Sequence, residues 1–150
     1  MPQIESEYIK TGKLKYVARD FPLESIHKEA FKAAEAAHCA GEQGAYWEMH
    51  TRLFANQRAL GPKELPQHAQ GLGLDVPKFQ QCLESGKYAS RIRKDLADGQ
   101  KAGVTGTPGF FLGVTESNDP NVKVLRVLKG AQPYASFKEA IESLLSSQEK

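Results

Sequence analysis

Cysteine is scarce in these 150 residues: there are two, Cys39 and Cys82, and they stand 43 positions apart. A Cys-x-x-Cys pair is therefore absent, and with it the low-pKa thiolate and nearby resolving thiol that disulfide exchange needs. Metal-ligand spacing is missing too. His38 adjoins Cys39, but neighbouring helical residues point about 100° apart, and no second Cys or His stands at ligand spacing, so no metal is expected. The chain has no phosphate-cradling glycine loop, no Gly-x-Ser-x-Gly elbow and no paired-carboxylate motif; no catalytic residue and no cofactor are expected in it. Neither sign of charge is in excess, with 20 basic residues against 18 acidic ones. Without a run of like charge there is no electrostatic footprint for nucleic acid or an anionic membrane. The longest apolar run, around Phe110 to Val114, is far too short for a membrane span. The opening residues Pro2-Gln3-Ile4-Glu5-Ser6-Glu7 are polar and acidic, unlike a signal peptide.

What is present is a helical majority, in a chain long enough to bury a core. Ile4 and Tyr8, four apart, mark the tail of a helix that Gly12 stops. Leu14 to Ala18 is a strand candidate, closed by Phe21-Pro22. From there to Gly103 the periodicity is helical. Ala30, Ala33, Ala34 and Ala37 make a small-residue face, and Tyr46, Met49, His50, Leu53 and Phe54 fit the inward face of an amphipathic helix. Gly61-Pro62 opens a helix with Leu65, Ala69 and Leu72 on one face. Asp75 caps the next, with Pro77 in its first turn and Phe79, Cys82 and Leu83 inward. Ile92, Leu96 and Gly99 mark a further helix, ending at Gly103.

The last third changes character. Gly103-Val104-Thr105-Gly106-Thr107-Pro108-Gly109 is a tight glycine-rich loop with a Thr-Pro step, feeding an apolar strand. Phe110 to Val114 and Val122 to Leu128 are β-rich runs on either side of Ser117-Asn118-Asp119-Pro120-Asn121, which predicts an antiparallel hairpin. Ser136-Phe137-Lys138-Glu139 has the pattern of a capping box, opening a helix that buries Phe137, Ile141, Leu144 and Leu145. The Ser146–Lys150 tail is expected to fray.

The other polar and aromatic residues favour packing over chemistry. His50 lies among Tyr46, Leu53 and Phe54 and is expected to be a hydrogen-bonded core histidine. His27 caps or packs after a proline turn, and His68 sits at a helix edge. Tyr46-Trp47 fills a core. Both cysteines are structural, paired or as free buried thiols. Thr107-Pro108 by itself is an ordinary kink into a strand.

The ordered set Asp20-Phe21-Pro22-Leu23 with His27, Cys39-Ala40, Gly44-Ala45-Tyr46-Trp47-Glu48-Met49-His50, Leu53-Phe54, Leu72-Gly73-Leu74-Asp75, Phe79, Cys82-Leu83, Gly103-Val104 and Gly106-Thr107-Pro108 resembles the DsbA family of thiol–disulfide oxidoreductases. The resemblance covers essentially the whole chain. It implies an α/β, thioredoxin-like fold carrying an inserted all-helical domain, with residues 1–23 and 103–150 in the thioredoxin-like part and 24–102 in the insertion. In the family a strand, the Cys-x-x-Cys and half a helix precede the segment that corresponds to Pro2. The expectation is thus a truncated member whose first central strand is missing, and which is inactive alone.

Several further expectations follow from that resemblance. Thr107-Pro108 becomes a cis-proline, and Gly106, Thr107 and Pro108 become the substrate-binding residues, with the Thr107 backbone pairing an extended peptide. Cys39 and Cys82 become a structural disulfide inside the insertion, contributing about 4 kcal/mol on the chain-entropy model before any strain. Such a bond fits an oxidising compartment, so the parent protein is expected in the periplasm or outside the cell, acting on reduced or unfolded protein chains. A gap in the sheet exposes two strand edges, which predicts direct pairing of the strands near Leu14–Ala18 and Phe110–Val114, or a homo-oligomer through strand exchange. The alternative function is a non-catalytic module that binds peptides or self-associates. A glutathione-transferase or isomerase relative of the same fold is a third, with no glutathione signature to support it.

Overall fold

A computed structural model of the chain describes residues 2–115 and 121–148. It divides into two compact units: Met1–Ala18 with Val104–Lys150, and Arg19–Gly103.

The second unit is all-helical: α2 (Ala30–Gly41), α3 (Tyr46–Ala55), α4 (Glu64–Gly71), α5 (Val76–Ser85) and α6 (Ala89–Lys101). Its core is one cluster in which Ala36, Ala40, Met49, Ala69 and Phe79 are fully buried. The alanines let α2 lie close to its neighbours, but the buried face is wider than the sequence pattern suggests: Glu35 through Ala40 are buried without interruption. Asp75 caps α5 by accepting a hydrogen bond from the Lys78 backbone N–H at 3.1 Å. Gly86 ends that helix in the left-handed region at φ 63°, where a side chain is strained. Phe79, Cys82 and Leu83 face inward as expected, and so do Leu65 and Ala69 of α4.

The first unit opens with α1 (Pro2–Ile4), which runs into a π-helical turn, Glu5–Ile9. Ile4 and Tyr8 are buried against Phe137 and Ile141 of α7 (Tyr134–Gln148). Two Tyr–Glu hydrogen bonds hold the same contact: Tyr8 Oη donates to Glu142 Oε1 at 2.7 Å, and Tyr134 Oη donates to Glu7. The bond to the Glu142 carboxylate, followed by burial, pushes the Tyr8 hydroxyl pKa well up. A two-stranded antiparallel sheet, β1 (Gly109–Thr115) and β2 (Val122–Lys129), completes the unit. Phe110 meets the Phe137 ring edge-to-face at 4.8 Å. A β-bulge falls where Leu112 pairs with Arg126 and Gly113 with Val124, so Leu125 is the extra residue.

The structure corrects several expectations. Leu14–Ala18 is extended and its exposure alternates, with Leu14 packed on the core cluster, but it pairs with no strand among the described residues. The predicted direct pairing with the Phe110–Val114 strand is therefore not formed: a period-2 pattern specifies an extended segment, and hydrogen bonding needs a partner at the right distance. Helix α7 begins at Tyr134, so Ser136 lies inside its first turn instead of capping it. The same helix continues through Ser146 and Ser147, where fraying was expected. The hairpin is present, but Ser117, Asn118, Asp119 and Pro120 of its predicted turn lie outside the described residues.

Candidate functional site

The loop that precedes β1 is shaped by its glycines. Gly103 ends the stretch after α6 at φ 80°. Val104 turns half-inward, and Thr105, Gly106, Thr107 and Pro108 are exposed. The Thr107–Pro108 peptide bond is cis. The Pro108 carbonyl accepts a hydrogen bond from the Gly130 N–H at 2.8 Å, which ties the loop to the end of β2 just beyond the Gly109–Lys129 pair. Among the described residues the Thr107 backbone makes no backbone hydrogen bond. Space around Gly106 is open: nothing lies within 4 Å of where its Cβ would stand. The three predicted substrate-binding residues thus sit together on one exposed loop, with a backbone donor and acceptor available to an extended chain.

The cysteines are elsewhere, in the helical unit. Cys39 on α2 and Cys82 on α5 form a disulfide and are 2% and 9% exposed. Both cysteines of the sequence are consumed in it, so the chain has no thiol with which to attack a disulfide. Glu42 Oε1 lies 3.7 Å from Cys82 Sγ; a disulfide sulfur carries no proton, so this is a contact and not a hydrogen bond. The same oxygen accepts from Lys87 Nζ at 2.6 Å and from Tyr88 Oη at 2.9 Å. Lys87 first, and Tyr88 second, hold the Glu42 carboxyl below its usual range.

A polar network that the sequence pattern did not reveal secures the entry to this unit. Arg19 reaches Asp95 at 2.6 Å and Asp98 at 2.9 Å. Asp95 is buried, and its other oxygen accepts the Asp20 backbone N–H at 3.2 Å. Asp20 Oδ2 lies 2.7 Å from His38 Nε2, and the His38 ring stacks on Tyr88 at 5.0 Å. Glu35, also buried, has Lys32 Nζ 2.7 Å from Oε2, yet that oxygen makes no hydrogen bond, so the pair is ionic and misaligned. The Arg19, Asp20, Asp95 and His38 groups pair with one another and hold α2, α6 and the incoming chain together.

Four side-chain expectations fail here. Phe54 is 64% exposed and Trp47 46% exposed, so neither fills the core; Met49 and Leu53 do. Ten residues of helix cannot bury an aromatic stripe at every i, i+4 step when only one face meets α2 and α4. His50 stands between Tyr46 and Phe54 on that outer stripe, its ring 4.7 Å from Phe54, and partial burial lowers its pKa against the opposing pull of Asp20. His68, expected at a helix edge, is buried. It accepts at Nδ1 from Arg52 Nε at 3.2 Å and donates from Nε2 to the Ala59 carbonyl at 2.8 Å. Among the described residues no group of three or more His, Cys, Asp or Glu could hold a metal ion, and no helix is long and apolar enough to cross a membrane.

Comparison with known proteins places this geometry. A family model described as thioredoxin matches residues 1–143. The crystal structure of Wolbachia pipientis alpha-DsbA1 superposes with a TM-score of 0.79 at 27% identity, covering 97% of this chain and 75% of that one. The Na(+)/H(+) antiporter NhaA 3 of Salinispora tropica is 38% identical over 125 residues, which is 83% of this chain and 19% of the antiporter. The Na(+)/H(+) antiporter NhaA 1 of Salinispora arenicola is 43% identical over 99 residues, or 66% and 15%. The chain therefore spans less than a fifth of the length of these curated relatives.

Proposed function

This chain belongs to the thioredoxin family and has a DsbA-like, thioredoxin-like fold, and from that premise we propose that it is the substrate-binding body of a thiol–disulfide oxidoreductase acting on cysteines of reduced or unfolded protein chains. The observation that carries the proposal is the alignment of nearly the whole chain on the DsbA1 structure, together with the exposed Gly106-Thr107-Pro108 loop at the head of β1. The loop would bind an extended peptide through the Thr107 N–H and C=O, by β-augmentation, which accepts many sequences because it uses only backbone. Electron exchange needs a thiolate that this chain does not contain, so these 150 residues would bind such a chain without themselves exchanging disulfides. The buried Cys39–Cys82 disulfide supports an oxidising compartment, the periplasm or the cell exterior, for the parent protein.

Titration of an unfolded, cysteine-containing peptide into the isotope-labelled chain tests this. Amide shifts should concentrate at Gly106, Thr107 and Gly109, and insulin reduction by dithiothreitol should proceed no faster with the chain than without it. Shifts elsewhere, or catalysed turnover, would refute the assignment. The match to antiporters favours a second reading, a non-catalytic peptide-binding or self-associating module carried by a larger protein. The adjoining genomic sequence separates the two: an in-frame strand with Cys-x-x-Cys supports the oxidoreductase.

A further inference from the structure

We propose that the corner where α3 meets α4 binds a carboxylate with an apolar body, held by Arg52 and Arg58 against the Phe54 ring. The corner lies wholly within the Arg19–Gly103 unit and shares no residue with the Gly106-Thr107-Pro108 loop. From Thr51 to Lys63 the chain has three cations, Arg52, Arg58 and Lys63, and no acidic residue. Among the described residues none of the three has an ion-pair partner.

Arg52 is the anchor, because its place is fixed while its fork is unused. Its Nε donates to His68 Nδ1 at 3.2 Å, and buried His68 is itself held by donating to the Ala59 carbonyl at 2.8 Å. The guanidinium then lies across the last residue of α4. A Cβ at Gly71 would stand 2.8 Å from Arg52 Cζ and 3.2 Å from Nη1. Gly71 has no positive φ, and glycine otherwise weakens a helix, so its bare Cα serves the arginine. Nη1 and Nη2 carry four N–H donors, which make no hydrogen bond among the described residues. A planar fork already held in place takes both oxygens of a carboxylate with little further loss of freedom.

The turn that follows α3, from Phe54 to Ala59, lines a cavity of about 440 Å³, a size usual for small-ligand sites. Ala59 joins the two features, since its carbonyl is the one that holds His68. The turn is preformed: Asn56 Nδ2 donates to the Arg52 carbonyl at 2.8 Å, and the Ala59 N–H to the Asn56 carbonyl at 2.9 Å. Phe54, 64% exposed, supplies an apolar wall, and exposed Arg58 a second cation. Cations alone would suit any anion. The ring beside them favours one that covers it, which a bare phosphate does not.

N-acetylphenylalanine titrated into the isotope-labelled chain at constant ionic strength should bind with a Kd of ~1 mM, as expected for a ligand of that size. Shifts should appear at the Arg52 and Arg58 side-chain Nε–H groups and at the amides of residues 54–59, and not at Gly106 or Thr107. The carboxamide analogue and inorganic phosphate should each bind about tenfold more weakly. Arg52→Lys keeps the charge and removes the fork. Gly71→Ala keeps every charge and places a methyl group where the guanidinium lies. Each should weaken binding about tenfold, and Arg52→Lys carries the test if Gly71→Ala fails to fold. A glycine–serine hexapeptide ending in phenylalanine identifies the source. Tighter binding than the free acid assigns the site to a polypeptide C-terminus, and equal or weaker binding to a small free acid. No saturable shift up to about 20 mM overturns the proposal. So does carboxamide or phosphate binding as tight as the acid's, or an affinity that neither substitution changes.

Discussion

In the helical unit, twelve buried residues from four helices form one cluster, closed further by a disulfide and the Arg19–Asp95 and Asp20–His38 pairs. The core cluster of the sheet unit holds four buried residues among those described, and one face of its hairpin is apolar and exposed. The contrast follows from how each element satisfies its backbone. A helix bonds itself, and only a stripe of side chains then needs a neighbour. A strand bonds nothing until a second strand arrives, so a two-stranded sheet keeps two open edges and, unless something packs on it, an open face. Among the described residues the helices thus satisfy their own backbone, while the two-stranded sheet is paired only within its hairpin.

The largest test of that contrast removes the disulfide. Cys39→Ser with Cys82→Ser should lower the stability of the helical unit by about 4 kcal/mol, through the loop the bond closes. Urea unfolding followed by fluorescence of Trp47, the only tryptophan, reads this unit. Hydrogen exchange at β1 and β2 should not change; if it did, the two units would not be independent. Next in size, Phe137→Ala removes a buried ring that packs Phe110, and should cost the sheet unit about 3 kcal/mol. With so small a core, that loss should release the β1 and β2 amides while the Trp47 transition stays in place.

A smaller effect is electrostatic. Burial sets the folded-state pKa of His50 below its ordinary 6.5, so the unfolded chain binds the proton more readily. Stability of the helical unit should therefore be constant above about pH 6.5 and decline as pH falls below it. Comparison of Tm against pH for the natural chain and His50→Gln checks this; parallel curves would exclude His50 as the source. The smallest effect sharpens the outer stripe of α3. Phe54→Ser, at an exposed position, should change stability by no more than about 0.5 kcal/mol. A loss of several times that would return Phe54 to the core where its spacing first placed it.

Much of the helical unit was legible because helix signals are local. Asp75 and Pro77 announce the start of α5, and Phe79, Cys82 and Leu83 announce its inner face, all within nine residues. The hairpin was legible for the same reason, since two β-rich runs flank a turn. Leu14–Ala18 was legible only as an extended segment; whether it pairs depends on residues far away in the chain. The loop Gly106-Thr107-Pro108 stood out through its likeness to a family, since its own spacing allowed an ordinary kink. Asp95 and His68 gave no signal, because a buried polar residue looks like a surface one until its partners, Arg19 for the first and Ala59 and Arg52 for the second, are in place.

By itself the sequence determined the run of helices followed by a hairpin and a closing helix, the faces that Met49, Leu65, Phe79 and Ile141 bury, and the lack of a second thiol beside either cysteine. These follow from period, capping and composition, which act over a few residues. Tertiary structure alone decided which aromatics stay outside on α3, which acidic and histidine side chains go inside, and that among the described residues β1 pairs with β2 and not with Leu14–Ala18. Each of those depends on the distance between groups remote in the chain, and the free energy of a buried charge or an unpaired strand is set by whatever reaches it.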